Sequence, residues 1–168
     1  IAKEELFKKS GHLLHFQDYM YPKMKADDGE YYLKAMNCPM HHIIFSHGVK
    51  SYKDLPVKIA EYGIVYRNEL SGTLAGLLRV RMLSMNDAHI YCRKDQIANE
   101  VESVIRLTQK YYDIFGFKDY YFRLSLWDPK QKARFVNEPS NWKYTQEELR
   151  KVLKKLKIKF VEAVGEAA

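Results

Sequence analysis

From residue 79 to residue 90 the side chains follow a two-residue period. Arg79, Arg81, Leu83, Met85, Asp87 and His89 fall on one face of an extended strand, and Val80, Met82, Ser84, Asn86, Ala88 and Ile90 on the other. The first face collects two guanidiniums, a carboxylate and an imidazole, with Leu83 and Met85 between them. A charged strand face is ordinarily solvated; apolar residues set among the charges fit a pocket with an apolar wall instead. Upstream, 57–65 reads as a partner strand leading into Tyr66-Arg67-Asn68-Glu69, and the connection 70–77 holds Gly72 and Gly76, which suit a hairpin turn. The stretch 66–91 is therefore predicted to be a long β-hairpin flooring an active site. Arg67 would lie near the basic residues of the second arm, and several fixed guanidiniums would suit a polyphosphate.

The other elements follow from local pattern. Residues 1–9 predict a short helix ending near Ser10-Gly11, and 12–22 an irregular aromatic-rich segment. Asp27-Asp28-Gly29 predicts a hairpin turn into a strand over 30–36. Pro39 suits a first helical position, with a short helix over 40–45 running to Gly48. Cys38 would sit at that helix N-terminus, where partial positive charge favours a thiolate. A connection over 51–56 follows. The clearest helix is 96–115, with Ile97, Val101, Val104, Ile105, Thr108, Tyr111 and Phe115 on one stripe and Gly116 as its stop. A strand is predicted over 120–126 and an exposed polar loop over 127–144, with Pro139 inside it. Thr145-Gln146-Glu147-Glu148 reads as a capping box for a helix to residue 157, burying Leu149, Val152, Leu153 and Leu156, before a last strand over 158–164. Strands arriving as hairpins favour an α+β class, an antiparallel β-sheet flanked by helices, over a doubly wound parallel sheet.

Composition narrows the function classes. At 168 residues the chain is one domain or part of one. No run of apolar residues is long enough to span a membrane, and the first residues lack a signal-peptide core, so a soluble cytoplasmic setting is expected. Two cysteines, Cys38 and Cys92, are too few for a disulfide framework; one could serve as a metal ligand, and Cys92 reads as structural. A net charge of +7 suits a polyanionic partner. The Lys-rich face near the C-terminus reads as a solvated surface.

The motifs Met36-Asn37-Cys38-Pro39-Met40-His41, Tyr66-Arg67-Asn68-Glu69, Ser71-Gly72, Gly76-Leu77-Leu78-Arg79-Val80-Arg81 and Asn86-Asp87-Ala88-His89-Ile90 together resemble the catalytic domain of threonyl-tRNA synthetases, which are class II aminoacyl-tRNA synthetases. Ser10-Gly11-His12 and the terminal Gly165-Glu166-Ala167-Ala168 extend the resemblance over nearly the whole chain. It implies the class II catalytic fold, ATP-dependent activation of L-threonine, and transfer to tRNA(Thr) by a homodimer. By the same resemblance Arg67 holds the ATP α-phosphate and the threonine carboxylate, Glu69 contacts the adenine, and Arg79 lies on the phosphate side. Met36 lines the amino-acid pocket and Asp87 takes the substrate hydroxyl. Cys38 and His89 match two of three protein ligands of a zinc ion, and magnesium accompanies ATP. Such a metal with open coordination sites would reject valine, which has no hydroxyl to offer.

The chain also departs from the family pattern. Met82 and Leu83 stand where the family usually has glycine and an aromatic or methionine, so Leu83 supplies only apolar contact to adenine. Met85 stands where many relatives are polar. Residues 1–168 are expected to form the larger N-terminal part of the catalytic domain, without most of the first class motif, the third motif or the third zinc ligand. Two other readings stay open: a non-catalytic synthetase-like module that binds ATP or tRNA, and a class II synthetase for another small amino acid such as serine or proline.

Overall fold

The computed structural model describes residues 1–48, 50–131 and 135–167, with His15 described by its backbone alone. Two compact units follow one another in the chain, 1–91 and 92–168.

The first unit opens with β1 (Ala2–Lys3) and α1 (Glu4–Lys9). Glu4 and Glu5 in the first turn and Lys8 and Lys9 in the last complement the helix dipole, which matters in a helix this short. Phe7 is its fully buried anchor, edge-on to Tyr32 with ring centroids 5.9 Å apart, and clusters with Met20 and Ala35. The stretch predicted to be irregular contains a helical turn, α2 (His12–His15), and a 3-10 turn over Gln17–Tyr19. The hairpin signal at Asp27-Asp28-Gly29 is realised by β2 (Met24–Ala26) and β3 (Gly29–Tyr32), with β3 central to an antiparallel sheet ordered β1, β3, β2. That strand stops at Tyr32 rather than Met36, and the chain turns into α3 (Cys38–Ser46). β4 (Val57–Tyr66) and β5 (Met82–Tyr91) then pair antiparallel through ten residues each, from Val57 opposite Tyr91 to Tyr66 opposite Met82. The long hairpin is thus present, with its second strand starting at Met82 rather than at Arg79.

The second unit holds α4 (Ile97–Phe115), β6 (Phe122–Leu126), α5 (Pro139–Lys155) and β7 (Phe160–Val164). Gly116 ends α4 in the left-handed region at φ 74°, a conformation that costs glycine little. Leu124, Leu126 and Leu153 form the core, with Ile105, Phe122, Leu149 and Phe160 against them.

Three expectations are corrected here. β6 and β7 pair in parallel, Phe122 opposite Phe160 through Leu126 opposite Val164, because α5 crosses over between them. α5 begins at Pro139, six residues before the predicted cap; Thr145 lies inside the helix, and its hydroxyl donates back to the Asn141 and Trp142 carbonyls. The segment before α5 is not wholly exposed, since Phe135 is buried and packs edge-on against Trp142, which in turn stacks with Trp127. Residues 132–134 of that predicted loop, and Ala168 of the terminal motif, lie outside the described residues. On the α4 stripe, Val101, Ile105 and Thr108 are partly covered, whereas Val104, Tyr111 and Phe115 are exposed.

Phe7→Ala is expected to lower the unfolding free energy by about 3–5 kcal/mol, the usual cost of emptying a buried aromatic site. A urea titration of the chain measures it, and a loss below about 1 kcal/mol would contradict the anchoring role.

Candidate active site

The inner face of the β4–β5 hairpin carries Ile59, Glu61, Gly63 and Val65 from one strand opposite His89, Asp87, Met85 and Leu83 from the other. Burial alternates along β5 as the sequence pattern requires: Leu83, Met85, Asp87 and His89 are partly covered, and Met82, Ser84, Asn86 and Ala88 exposed. Asn37 and the helix α3 that follows it contact this ladder at Glu61, Asp87, His89 and Tyr91.

Asn37, completely buried at the N-cap of α3, donates from Nδ2 to Asp87 Oδ2 at 3.0 Å. One turn on, buried His41 places Nε2 3.0 Å from Glu61 Oε1 and Nδ1 2.7 Å from His89 Nδ1. The next residue, His42, has Nδ1 2.7 Å from the Tyr91 hydroxyl, and Phe45 stacks flat on Tyr91 at 3.8 Å. Lys34 closes the row from the other side, 3.4 Å from Glu61 Oε2.

A carboxylate only accepts, so the His41 ring donates to Glu61 from Nε2, and one proton lies between His41 Nδ1 and His89 Nδ1 in their 2.7 Å contact. Burial, opposed by Asp87 and reinforced by His41 and His42, lowers the pKa of His89 and keeps it neutral. Cys38 goes against expectation. Its position at the helix N-terminus does not make it acidic; burial and then the Asp87 carboxylate raise its pKa, outweighing the backbone hydrogen bond that lowers it. At neutral pH it is a thiol.

The arms of the connecting loop are braced by charge. Arg79 donates to Glu69 Oε2 from Nε at 3.0 Å and from Nη2 at 2.8 Å, and Arg81 Nε donates to the Glu69 carbonyl at 2.9 Å. Glu69 is buried beneath this pair. Because β5 starts only at Met82, Arg79 and Arg81 do not continue the inner face; Arg79 instead bridges to Ala75 across a tight turn. Arg67 is held by its backbone, whose N–H donates to the Arg81 carbonyl at 2.9 Å. Its guanidinium makes no hydrogen bond or ion pair with the described residues. Met36 packs against the cluster around Phe7.

The structure therefore sets Asp87 and His89 on one strand face, with Cys38 in the first turn of α3 near enough for the Asp87 carboxylate to act on its thiol, and places Arg67, Glu69 and Arg79 at the loop end of the hairpin. Sequence reasoning missed Asn37, His41 and Glu61, which hold the named residues in place. The available signals were a buried-pattern histidine in a Cys-Pro-Met-His run and a glutamate alternating with apolar residues in β4. Among the described residues no group of three His, Cys, Asp or Glu side chains is placed to hold a metal ion. Cys38 and His89 supply two donors at most, so the described residues alone do not fit a zinc site. No helix among the described residues is long and apolar enough to cross a membrane.

The family described as tRNA synthetase class II core domain (G, H, P, S and T) matches residues 21–164. The chain belongs to that family, and its α+β architecture combines helices with antiparallel sheets and the parallel β6–β7 pair. Within it the similarity is to threonine-tRNA ligases: 47% identity to that of Oceanobacillus iheyensis and 44% to that of Halalkalibacterium halodurans, each over all 168 residues of this chain and 26% of the relative. The chain thus spans about a quarter of the length of these curated relatives. Among solved structures, the RNA binding domain of threonyl-tRNA synthetase from Cryptosporidium parvum Iowa II superposes with a TM-score of 0.88 at 32% identity, covering 99% of this chain and 40% of that one. The putative threonyl-tRNA synthetase ThrRS-1 from Aeropyrum pernix gives 0.85 at 32%, covering 99% and 38%.

The thiol assignment has a kinetic consequence. A raised pKa means less thiolate at a given pH, so Cys38 is expected to alkylate with iodoacetamide near neutral pH more slowly than free cysteine. Asp87→Asn removes one cause and should speed Cys38 while leaving Cys92 unchanged, since Cys92 is raised by burial, Glu100 and Asp95. Residue-resolved mass spectrometry reads both rates; a Cys38 faster than free cysteine would contradict the assignment.

Proposed function

We propose that the chain is the amino-acid-activating part of a threonine-tRNA ligase. The whole protein would join L-threonine to ATP as threonyl-adenylate and pass the threonyl group to tRNA(Thr). The observation that carries this reading is the inner face of the hairpin, where Asp87 is locked in place beside Cys38 and His89 while the Arg67 guanidinium is left without a partner among the described residues. A fixed carboxylate with a free oxygen suits a substrate hydroxyl, and an uncommitted arginine suits an anion.

In this reading Asp87 accepts the threonine hydroxyl. Arg67 binds the threonine carboxylate and the ATP α-phosphate, bringing the carboxylate oxygen to the α-phosphorus. A carboxylate O–P bond forms and the bond to pyrophosphate breaks, so pyrophosphate leaves with its charge. No protein nucleophile is needed; positioning and the positive charge of Arg67 lower the barrier. Glu69 meets the adenine edge, Arg79 the later phosphates, and Leu83 the adenine face by apolar contact. Met36 contributes to the amino-acid side of the pocket. Magnesium enters with ATP as part of that substrate. Zinc, implied by the resemblance through Cys38 and His89, would need donors beyond the described residues. Residues 1–168 would form part of one aminoacylation domain; a homodimer and the cytoplasm are the settings the similarity suggests.

ATP-pyrophosphate exchange in the ligase-length protein carrying this chain tests the reading. Exchange is expected with threonine and not with valine, and Arg67→Ala should reduce it by roughly 100–1,000-fold, the usual effect of removing one transition-state donor. Exchange supported by serine or proline instead would assign another amino acid. ATP binding without exchange would make the chain a nucleotide-binding module.

A further inference from the structure

We infer that Asn37 is a positioning residue for side-chain recognition: its carboxamide, seated on Gly63, aims the Asp87 carboxylate at the substrate hydroxyl. The inference rests on the reading of Asp87 as the hydroxyl acceptor.

Four observations converge on Asn37. It occupies the N-cap of α3, where an asparagine side chain ordinarily accepts a backbone N–H of the first turn, yet it makes no such bond. Its Nδ2 is turned to Asp87 Oδ2 at 3.0 Å instead. The side chain is fully buried, and its Oδ1 has no partner among the described residues, so the site retains an amide where burial alone would favour an apolar residue. The amide orientation is fixed by chemistry, because a carboxylate has no proton to give and must face the NH2 group.

The fourth observation lies across the sheet. Gly63 sits in the interior of β4, where glycine weakens a strand, and it is not among the residues of positive φ. Conformation therefore does not explain it, but space does. A Cβ built on Gly63 would meet Asn37 Nδ2 and Oδ1 at 2.5 Å and Cγ at 2.7 Å. The strand is hollowed out at one position, next to the Glu61–Asp87 pair, to seat one carboxamide. With Oδ2 tied to Asn37, the Asp87 carboxylate cannot rotate freely, and Oδ1, which takes no hydrogen bond from a described residue, remains for a ligand. A site built to bond a hydroxyl rejects the analogue lacking it, so the rigidity of Asp87 bears on threonine against valine.

Three variants of the ligase-length protein test this: Asn37→Ala, Gly63→Ala and the double variant. Loss of a hydrogen bond to a charged group corresponds to roughly 10–100-fold, so Asn37→Ala should raise the threonine KM by that factor and narrow the threonine-over-valine ratio. The ATP KM and the kcat at saturating threonine should stay within about 2-fold, because neither the nucleotide contacts nor Arg67 is touched. Gly63→Ala should show the same threonine-selective loss and a lower melting temperature. In the Asn37→Ala background it should add little to either, since the atoms it strikes are gone. Additive effects of the two substitutions, or threonine and ATP constants rising together, would overturn the proposal and leave Asn37 a packing residue. If the unsubstituted protein activates no threonine, the reading of Asp87 fails first and the proposal with it; coupling of residues 37 and 63 in melting would then report packing alone.

Discussion

The ten-pair ladder between β4 and β5 is the constraint on which the site depends. Side chains alternate along a strand, so a slip of one residue would carry Asp87 and His89 to the open face and bring Asn86 and Ala88 under α3. Hydrophobic patterning alone would hold this register weakly, because the outer face also carries apolar residues such as Tyr62, Ile64 and Met82, all exposed. Specific contacts with α3 supply the rest. Asn37 fits only over Gly63, His41 reaches Glu61 and His89 together, and Phe45 lies flat on Tyr91. Each would be lost in any other register.

Charge in this site is divided between building and binding. Arg79 and Arg81 are both spent on Glu69, Lys34 is directed to Glu61, and His41 mediates between Glu61 and His89. Arg67 stands apart in this group. A guanidinium held by its backbone, and not yet paired within the described residues, is ready to accept an anionic substrate without first giving up a partner. The Arg79–Glu69 pair has the opposite character, because Glu69 is buried and Arg79 half exposed. In a reading where Glu69 meets adenine and Arg79 meets phosphate, nucleotide binding would exchange this internal pair for two contacts with the ligand.

Much of the first unit was legible in the sequence. The alternation over 79–90 located β5 and its inner face from Leu83 onward, and Asp27-Asp28-Gly29 located the first hairpin; in the second unit Gly116 marked the end of α4. The parallel pairing of β6 and β7 was not legible, because nothing local in either strand records which way its partner runs. The start of α5 was misplaced because Thr145-Gln146-Glu147-Glu148 carries a strong capping pattern, while Pro139, which begins the helix, reads equally well as a loop residue. Cys38 was misjudged for a related reason: the helix terminus is visible in sequence, whereas the burial and the Asp87 carboxylate that oppose it are tertiary. Asn37 and Gly63 are separated by the whole of α3 and half of β4. Their contact exists only in the fold, and with it the means by which Asp87 is held.

If the inner face of β4–β5, under the N-terminus of α3, receives threonine and ATP together, backbone amide NMR of the chain titrated with a non-hydrolysable threonyl-adenylate analogue will show shifts confined to residues 36–38, 61–69 and 79–89, with a weaker response to the valyl analogue. Shifts confined to α4, α5 or β7, or equal responses to the two analogues at residues 37 and 87, would contradict it.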